Sequence, residues 1–270
     1  MLVESVMSKN VQTLSPDAAP SEAIRVMDEH KIRHIPVIEE ARLVGVVSDR
    51  DLLAATGWFP RSDMGSVREI RSILHAPVRT LDPQDQLVTA SLELILFGIG
   101  CMPVVDDGQV VGIVTDTDLL RTFVRSAQGG KLTGDPNPAV STLMTGAATT
   151  ITPSTSFAEA RVEMRTHKIR HLPVVEGERL VGILSDRDLR WADGRELHPD
   201  TPVEDFMSDF VISIDPAHPV SKAAELMVEH HISALPVVDE GRLSGILTSA
   251  DLLDHCLHTL WEPEGIPPRR

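Results

Sequence analysis

Apolar residues recur along this chain at two alternating spacings. Over residues 20–30, Ala23, Val26 and Met27, with His30, fall on one face of a predicted helix. The next run, IRHIPVIE (32–39), is rich in β-branched residues, and LVGVVS (43–48) follows across the charged turn EEAR. Two such runs joined by a short turn predict a β-hairpin. The Ser48-Asp49-Arg50-Asp51 step then predicts the start of a second helix. Ahead of the first helix, a turn segment carries Met7, and an extended piece ends in Thr13-Leu14-Ser15-Pro16. Ser-Pro there predicts a helix start with Pro at the first helical position. The unit reads β-α-β-β-α, of the α/β (α+β) class, with antiparallel central strands.

The same pattern returns four times. Pro36, Pro103, Pro173 and Pro236 are each followed nine residues later by Gly45, Gly112, Gly182 and Gly245, and six after that by Asp51, Asp118, Asp188 and Asp251. Met7, Leu74, Met144 and Met207 hold one common position, and His30, His167 and His230 another, where a cation suits a helix C-terminus. Copies one and three are near twins: HKIRHIPV (30–37) and HKIRHLPV (167–174) differ at one position, at an offset of 137. The order is A–B–A′–B′, as if a two-repeat module had been duplicated. Single repeats of this size bury too little surface alone, so pairing within a module is expected. The predicted division is a first pair over 1–125 (repeats 1–58 and 66–125), a Gly- and Pro-rich linker over 126–138, a second pair over 139–258 (repeats 139–193 and 201–258) and a tail over 259–270.

Composition narrows the classes. Aromatic residues are 3% and Tyr is absent, so the core is expected to be aliphatic. A net charge of −15 argues against a general nucleic-acid or anionic-membrane surface, while leaving room for one small anion in a locally basic cleft. Two cysteines make no disulfide framework. There is no signal-peptide pattern and no apolar run of about 18 residues, which reads as a soluble, cytoplasmic chain.

The helix-opening T-L-S-P step, the apolar-P-V strand and the G-h-h-(S/T)-x-x-D segment, four times in register, resemble the cystathionine-β-synthase (CBS) domain family. The resemblance covers nearly all of the chain and implies two tandem CBS pairs, or Bateman modules, that together form a disk within one chain or between two chains of a homodimer. It implies adenosine-nucleotide binding (AMP, ADP or ATP) in the cleft between paired repeats, with no required cofactor, and regulation of a separate effector protein.

At the Ser48/Asp51 step two readings stand side by side. Ser48 as N-cap with a carboxylate three residues on is a capping box that satisfies free backbone N–H groups unaided. The resemblance implies ligand contact instead. Asp51 would accept hydrogen bonds from a ribose diol, while Ser48 and Arg50 would meet phosphate at a helix N-terminus. The equivalents are Thr115/Asp118, Ser185/Asp188 with Arg187, and Thr248/Asp251. Arg33-His34 and Arg170-His171, just before the strands, are candidate phosphate contacts, since a guanidinium can bond two oxygens. The even copies carry Gly100-Cys101 and Ser233-Ala234 there, with Thr117 and Ala250 in place of Arg50 and Arg187. One phosphate site per module is therefore expected, combining an Asp from one repeat with basic residues from its partner. Backbone near Thr13 and Thr150 would read the base edge.

No catalytic set emerges. Cys101 sits in an apolar strand, His255 and His258 lack a third metal ligand, and no Walker A loop, G-x-S-x-G or H-E-x-x-H is present. The chain is read as a non-enzyme. The alternatives to a nucleotide sensor are a scaffold with empty clefts and a sensor of another adenosyl ligand, such as S-adenosylmethionine or a cyclic dinucleotide.

Overall fold

The computed structural model describes residues 1–56, 67–128, 137–195 and 197–260. Each repeat contributes a helix, a two-stranded antiparallel hairpin and a second helix. In order these are α1 (Pro20–His30), β1 (His34–Glu39), β2 (Arg42–Ser48), α2 (Asp49–Thr56); α3 (Leu87–Phe97), β3 (Cys101–Asp106), β4 (Gln109–Thr115), α4 (Asp116–Gln128); α5 (Phe157–His167), β5 (His171–Glu176), β6 (Arg179–Ser185), α6 (Asp186–Gly194); and α7 (Val220–His230), β7 (Ala234–Asp239), β8 (Arg242–Thr248), α8 (Ser249–Leu260). The expected first strand of each unit is reduced to a single parallel bridge, as at Leu14↔Val37 and Ile151↔Val174.

The Ser/Asp-Pro steps do not open the helices. α1 begins at Pro20 behind Ala19, and α5 at Phe157 behind Ser156, several residues after Pro16 and Pro153. Instead Ser15, Asp82 and Asp215 fold back on their own backbone, accepting from the N–H groups of Asp17, Gln84 and Ala217. Short polar side chains compete for backbone donors and make turns as readily as caps. The gap over 59–65 between the first two predicted repeats, residues 129–136 of the predicted linker and residues 261–270 of the predicted tail lie outside the described residues, and α4 runs into the start of the linker.

Repeats exchange their leading segments within a pair. Ser8 bridges Ile113 of the second repeat, and His75 of the second bridges Val46 of the first. The other pair repeats this with Thr145↔Ile246 and Ser208↔Ile183. The exchange explains the recurring glycine. A Cβ on Gly245 would stand 2.6 Å from the carbonyl oxygen of Thr145, and one on Gly45 would meet the Leu74 side chain and the His75 carbonyl. Met7 and Met207 cross Gly112 and Gly182 in the same way.

The two pairs then meet through helices of the same chain. α2 packs on α6, while α4 packs on α7 and α8, and α3 on α8. The second contact is apolar and merges the cores of repeats two and four into one cluster, with Phe123, Leu119, Leu235 and Leu252 fully buried. Repeats one and three keep separate cores. No described helix is long and apolar enough to cross a membrane.

Candidate functional site

All four capping boxes form. Ser48 N–H and Oγ–H donate to Asp51 Oδ2 at 2.8 and 2.6 Å, and Asp51 N–H returns to Ser48 Oγ at 3.3 Å. Thr115/Asp118, Ser185/Asp188 and Thr248/Asp251 do the same. The cap therefore consumes one carboxylate oxygen in each copy, and the copies differ in what holds the other. Asp51 Oδ1 faces His75 Nε2 at 2.8 Å, and Asp118 Oδ1 accepts from Arg121 at 3.1 Å. For Asp188 and Asp251, no hydrogen bond to Oδ1 is found among the described residues. Burial raises the pKa of both acids.

Three clefts open beside these steps. The Asp51 cleft, of ≈ 510 Å³, is walled by Ser48, Arg50 and His34 from the first repeat and by Arg79 and Gly100 from the second, with Arg190 reaching in from the third. The Asp118 cleft, of ≈ 400 Å³, joins Thr115 and Asp118 of the second repeat to Lys9, Lys31, Arg33 and His34 of the first. The Asp188 cleft, of ≈ 220 Å³, brings Ser185, Arg187 and His171 together with Arg33 and Arg50 from the other pair. Cations are thus shared across the pairs, and the first pair carries two clefts with basic walls. Arg170, Thr248 and Asp251 lie outside these walls. At the Asp251 copy, Gly146 stands where Lys9 does, and Asp254 where Arg121 does. Asp254 adds to the burial that raises the Asp251 pKa. Thr13 and Thr150 are exposed and also off the cleft walls. Each precedes a residue paired into the sheet, and alternation turns the neighbour outward.

Arg50 and Arg187 have partners that spacing alone does not reveal. Arg50 Nε lies 3.2 Å from Asp186 Oδ2, and Arg187 bonds Asp49 reciprocally. The two pairs of repeats are thereby cross-linked where α2 meets α6. Arg33 makes a looser contact, 3.9 Å from Asp116.

The small residues of the even copies also acquire a reason. A Cβ on Gly100 would stand 2.9 Å from His34 Cε1, and Ser233 Oγ lies 3.3 Å from His171 Nε2. Gly100 and Ser233 make room for the imidazoles of the odd copies. Burial lowers the pKa of both histidines, that of His171 to about 4. Burial thus disfavours the imidazolium form of both rings. Cys101 is a buried thiol whose pKa is pushed up to about 12 by burial, and Cys256 is buried too. Neither has the lowered pKa a nucleophile needs.

The family model for the CBS domain matches residues 3–57, 67–125, 140–194 and 203–258. The uncharacterized protein MJ1225 of Methanocaldococcus jannaschii is 26% identical, the match covering 94% of this chain and 98% of that protein. Its crystal structure aligns with a TM-score of 0.75 over 94% of this chain and 99% of the other, at 25% identity. An uncharacterized conserved protein from Pyrococcus horikoshii aligns with a TM-score of 0.64 at 26% identity, again over 94% and 99%. With four matched copies spread over the whole described fold, this chain belongs to the CBS domain family.

Proposed function

We propose that this chain is a non-catalytic sensor of adenosine phosphates that acts on a separate effector protein through the relative geometry of its two modules. The observation that carries the reading is the Asp118 cleft, where the ribose-type Thr115/Asp118 step of one repeat faces Lys9, Lys31 and Arg33 of its partner. Vicinal hydroxyls suit the carboxylate, and clustered cations suit phosphate. Basic side chains also favour a phosphorylated ligand over S-adenosylmethionine, whose sulfonium is cationic. MJ1225 has itself been proposed as an archaeal homolog of g-AMPK, which is consistent with this reading. In this reading the protein works in the cytoplasm, as one disk or as a pair of chains.

The cross-module pairs supply a route from ligand to geometry. Arg50 lines the Asp51 and Asp188 clefts while bonded to Asp186. A phosphate that draws Arg50 into a cleft loosens that bond, and Asp186 then loses this counter-charge. The apolar contact of α4 with α7 and α8 stays closed and serves as the hinge. Ligand shifts the balance only through this difference in affinity between the two arrangements.

The test is a thermal-shift titration with AMP, ADP, ATP and S-adenosylmethionine, followed by small-angle scattering with the ligand that binds. At 100 times Kd a ligand adds about 2.7 kcal/mol. The reading expects a rise with an adenosine phosphate that is lost in Asp118→Ala and Arg33→Ala. The scaffold alternative draws on the complete capping boxes, which need no ligand, and a flat response to all four compounds would favour it.

A further inference from the structure

We infer that the groove between the two modules is a separate ligand site, built for a flat aromatic anion. Its cavity of ≈ 480 Å³ lies between the α1–α2 side of the first repeat and α6 of the third. That volume falls in the range of small-molecule sites. A larger share of its wall is apolar than in the ribose-type clefts, with Met27 and Leu53 on one side and Trp191 and Phe206 on the other. In a chain with 3% aromatics, two aromatic side chains on one cavity wall are a concentration. The Arg195 guanidinium lies 4.1 Å above the Trp191 ring and braces the indole from one side.

The groove is one-sided. The pseudo-twofold relation between the modules maps Trp191 onto Ala54, Phe206 onto Ile73 and Leu53 onto Arg190. The mirror position therefore has no aromatic wall and gains a guanidinium. Two nearly identical odd repeats need no such difference to pack α2 on α6, so packing alone does not account for it.

The charges place the ligand's negative end. Over the whole groove three acids, Asp28, Asp49 and Asp188, match three bases, Lys31, Arg33 and Arg187. Arg187 bonds Asp49, and Asp188 keeps its charge while accepting from the Ser185 N–H and hydroxyl. At the α1 end Asp28 stands against Lys31 and Arg33, a local surplus of one positive charge. The Lys31 ammonium has no hydrogen bond or ion pair among the described residues, and the Arg33 guanidinium has only its 3.9 Å contact with Asp116. The balance favours one negative group at the Lys31–Arg33 end and a flat ring at the Trp191–Phe206 end. Arg187 and Asp188 also wall the Asp188 cleft, so an occupant touches the same cross-module pair from the other side.

The experiment is isothermal titration of the full chain with 1-naphthyl phosphate, with 1-naphthol and inorganic phosphate as controls. One site per chain is expected, at least tenfold tighter than either control. Trp191→Ala, which installs the residue of the mirror position, should weaken binding tenfold or more. Lys31→Gln, on the exposed end of α1, should do the same without risk to the core. Because Lys31 also lines the Asp118 cleft, Lys9→Gln and Asp51→Ala serve as controls for the ribose-type clefts and should leave binding unchanged. Absence of binding, binding indifferent to both Trp191→Ala and Lys31→Gln, or binding lost in Lys9→Gln or Asp51→Ala would each overturn the proposal.

Discussion

The imidazole of His75 stands 2.8 Å from Asp51 Oδ1, on the one carboxylate oxygen that the capping box leaves open. The equivalent residues are Ser8, Thr145 and Ser208, so no other copy can make this contact. A ribose in the Asp51 cleft has to displace the ring. His75→Ala is therefore expected to strengthen nucleotide binding at that cleft severalfold, read by isothermal titration. His75 is exposed, so stability should change by less than about 0.5 kcal/mol. Unchanged or weakened binding would show that the ring does not compete.

The pair Arg187–Asp49 joins modules through a nearly buried carboxylate, 8% exposed, and a half-exposed guanidinium. A double-mutant cycle with Arg187→Ala and Asp49→Ala should return a coupling of about 1 kcal/mol that falls with added salt. A coupling near zero would mean that the pair does not hold α2 against α6.

Gly245→Ala should destabilise the chain by about 1–3 kcal/mol, because the added methyl meets the backbone carbonyl of Thr145 and the leading segment has to move. Gly98 makes an informative comparison. Its φ is +61° at the end of α3, with open space around it, so Gly98→Ala should cost about 1 kcal/mol through backbone strain alone. Urea denaturation of the two variants checks both values.

Acid should weaken the fold through His171. Its pKa is lowered from 6.5 to about 4, first by burial. As pH falls through 6.5 the unfolded chain takes up a proton that the folded chain refuses, so stability drops from there to about pH 4 and this contribution is then complete. The full effect is on the order of 3 kcal/mol. His34 adds in the same direction. Asp188 and Asp251, whose pKa values are raised, act in the opposite sense at lower pH. The difference between wild type and His171→Gln in urea, followed from pH 7.5 to 4.5, isolates the histidine. A constant difference would refute this account.

Much of the fold was legible because its signals are local. Helix and strand periods, the hairpin turns and the Ser/Thr-x-x-Asp steps each lie within a few residues. The helix starts after Pro16 and Pro153 were misread because a short polar residue before Pro satisfies the backbone equally well in a turn. The candidate site was legible in part: Arg33, Ser48, Asp51, Asp118 and Asp188 all reach cleft walls. Lys9, His75, Arg79 and Arg121 were missed. Comparing Lys9 with Gly146, and Arg121 with Asp254, at equivalent positions would have exposed the first and last of these.

The sequence by itself determined four copies in an A–B–A′–B′ order, their internal architecture, an aliphatic core and the heads of four helices. Each of these follows from spacing within one repeat. Tertiary structure alone decided which copies meet, that Met7 crosses Gly112 and Met207 crosses Gly182, and that Arg50 and Arg187 bond Asp186 and Asp49 across the modules. It also decided that Arg33 serves clefts in both modules. The reason is physical: a side chain's period states which face it occupies. Its partner on another element is chosen by packing of the whole, which brings together residues more than a hundred positions apart.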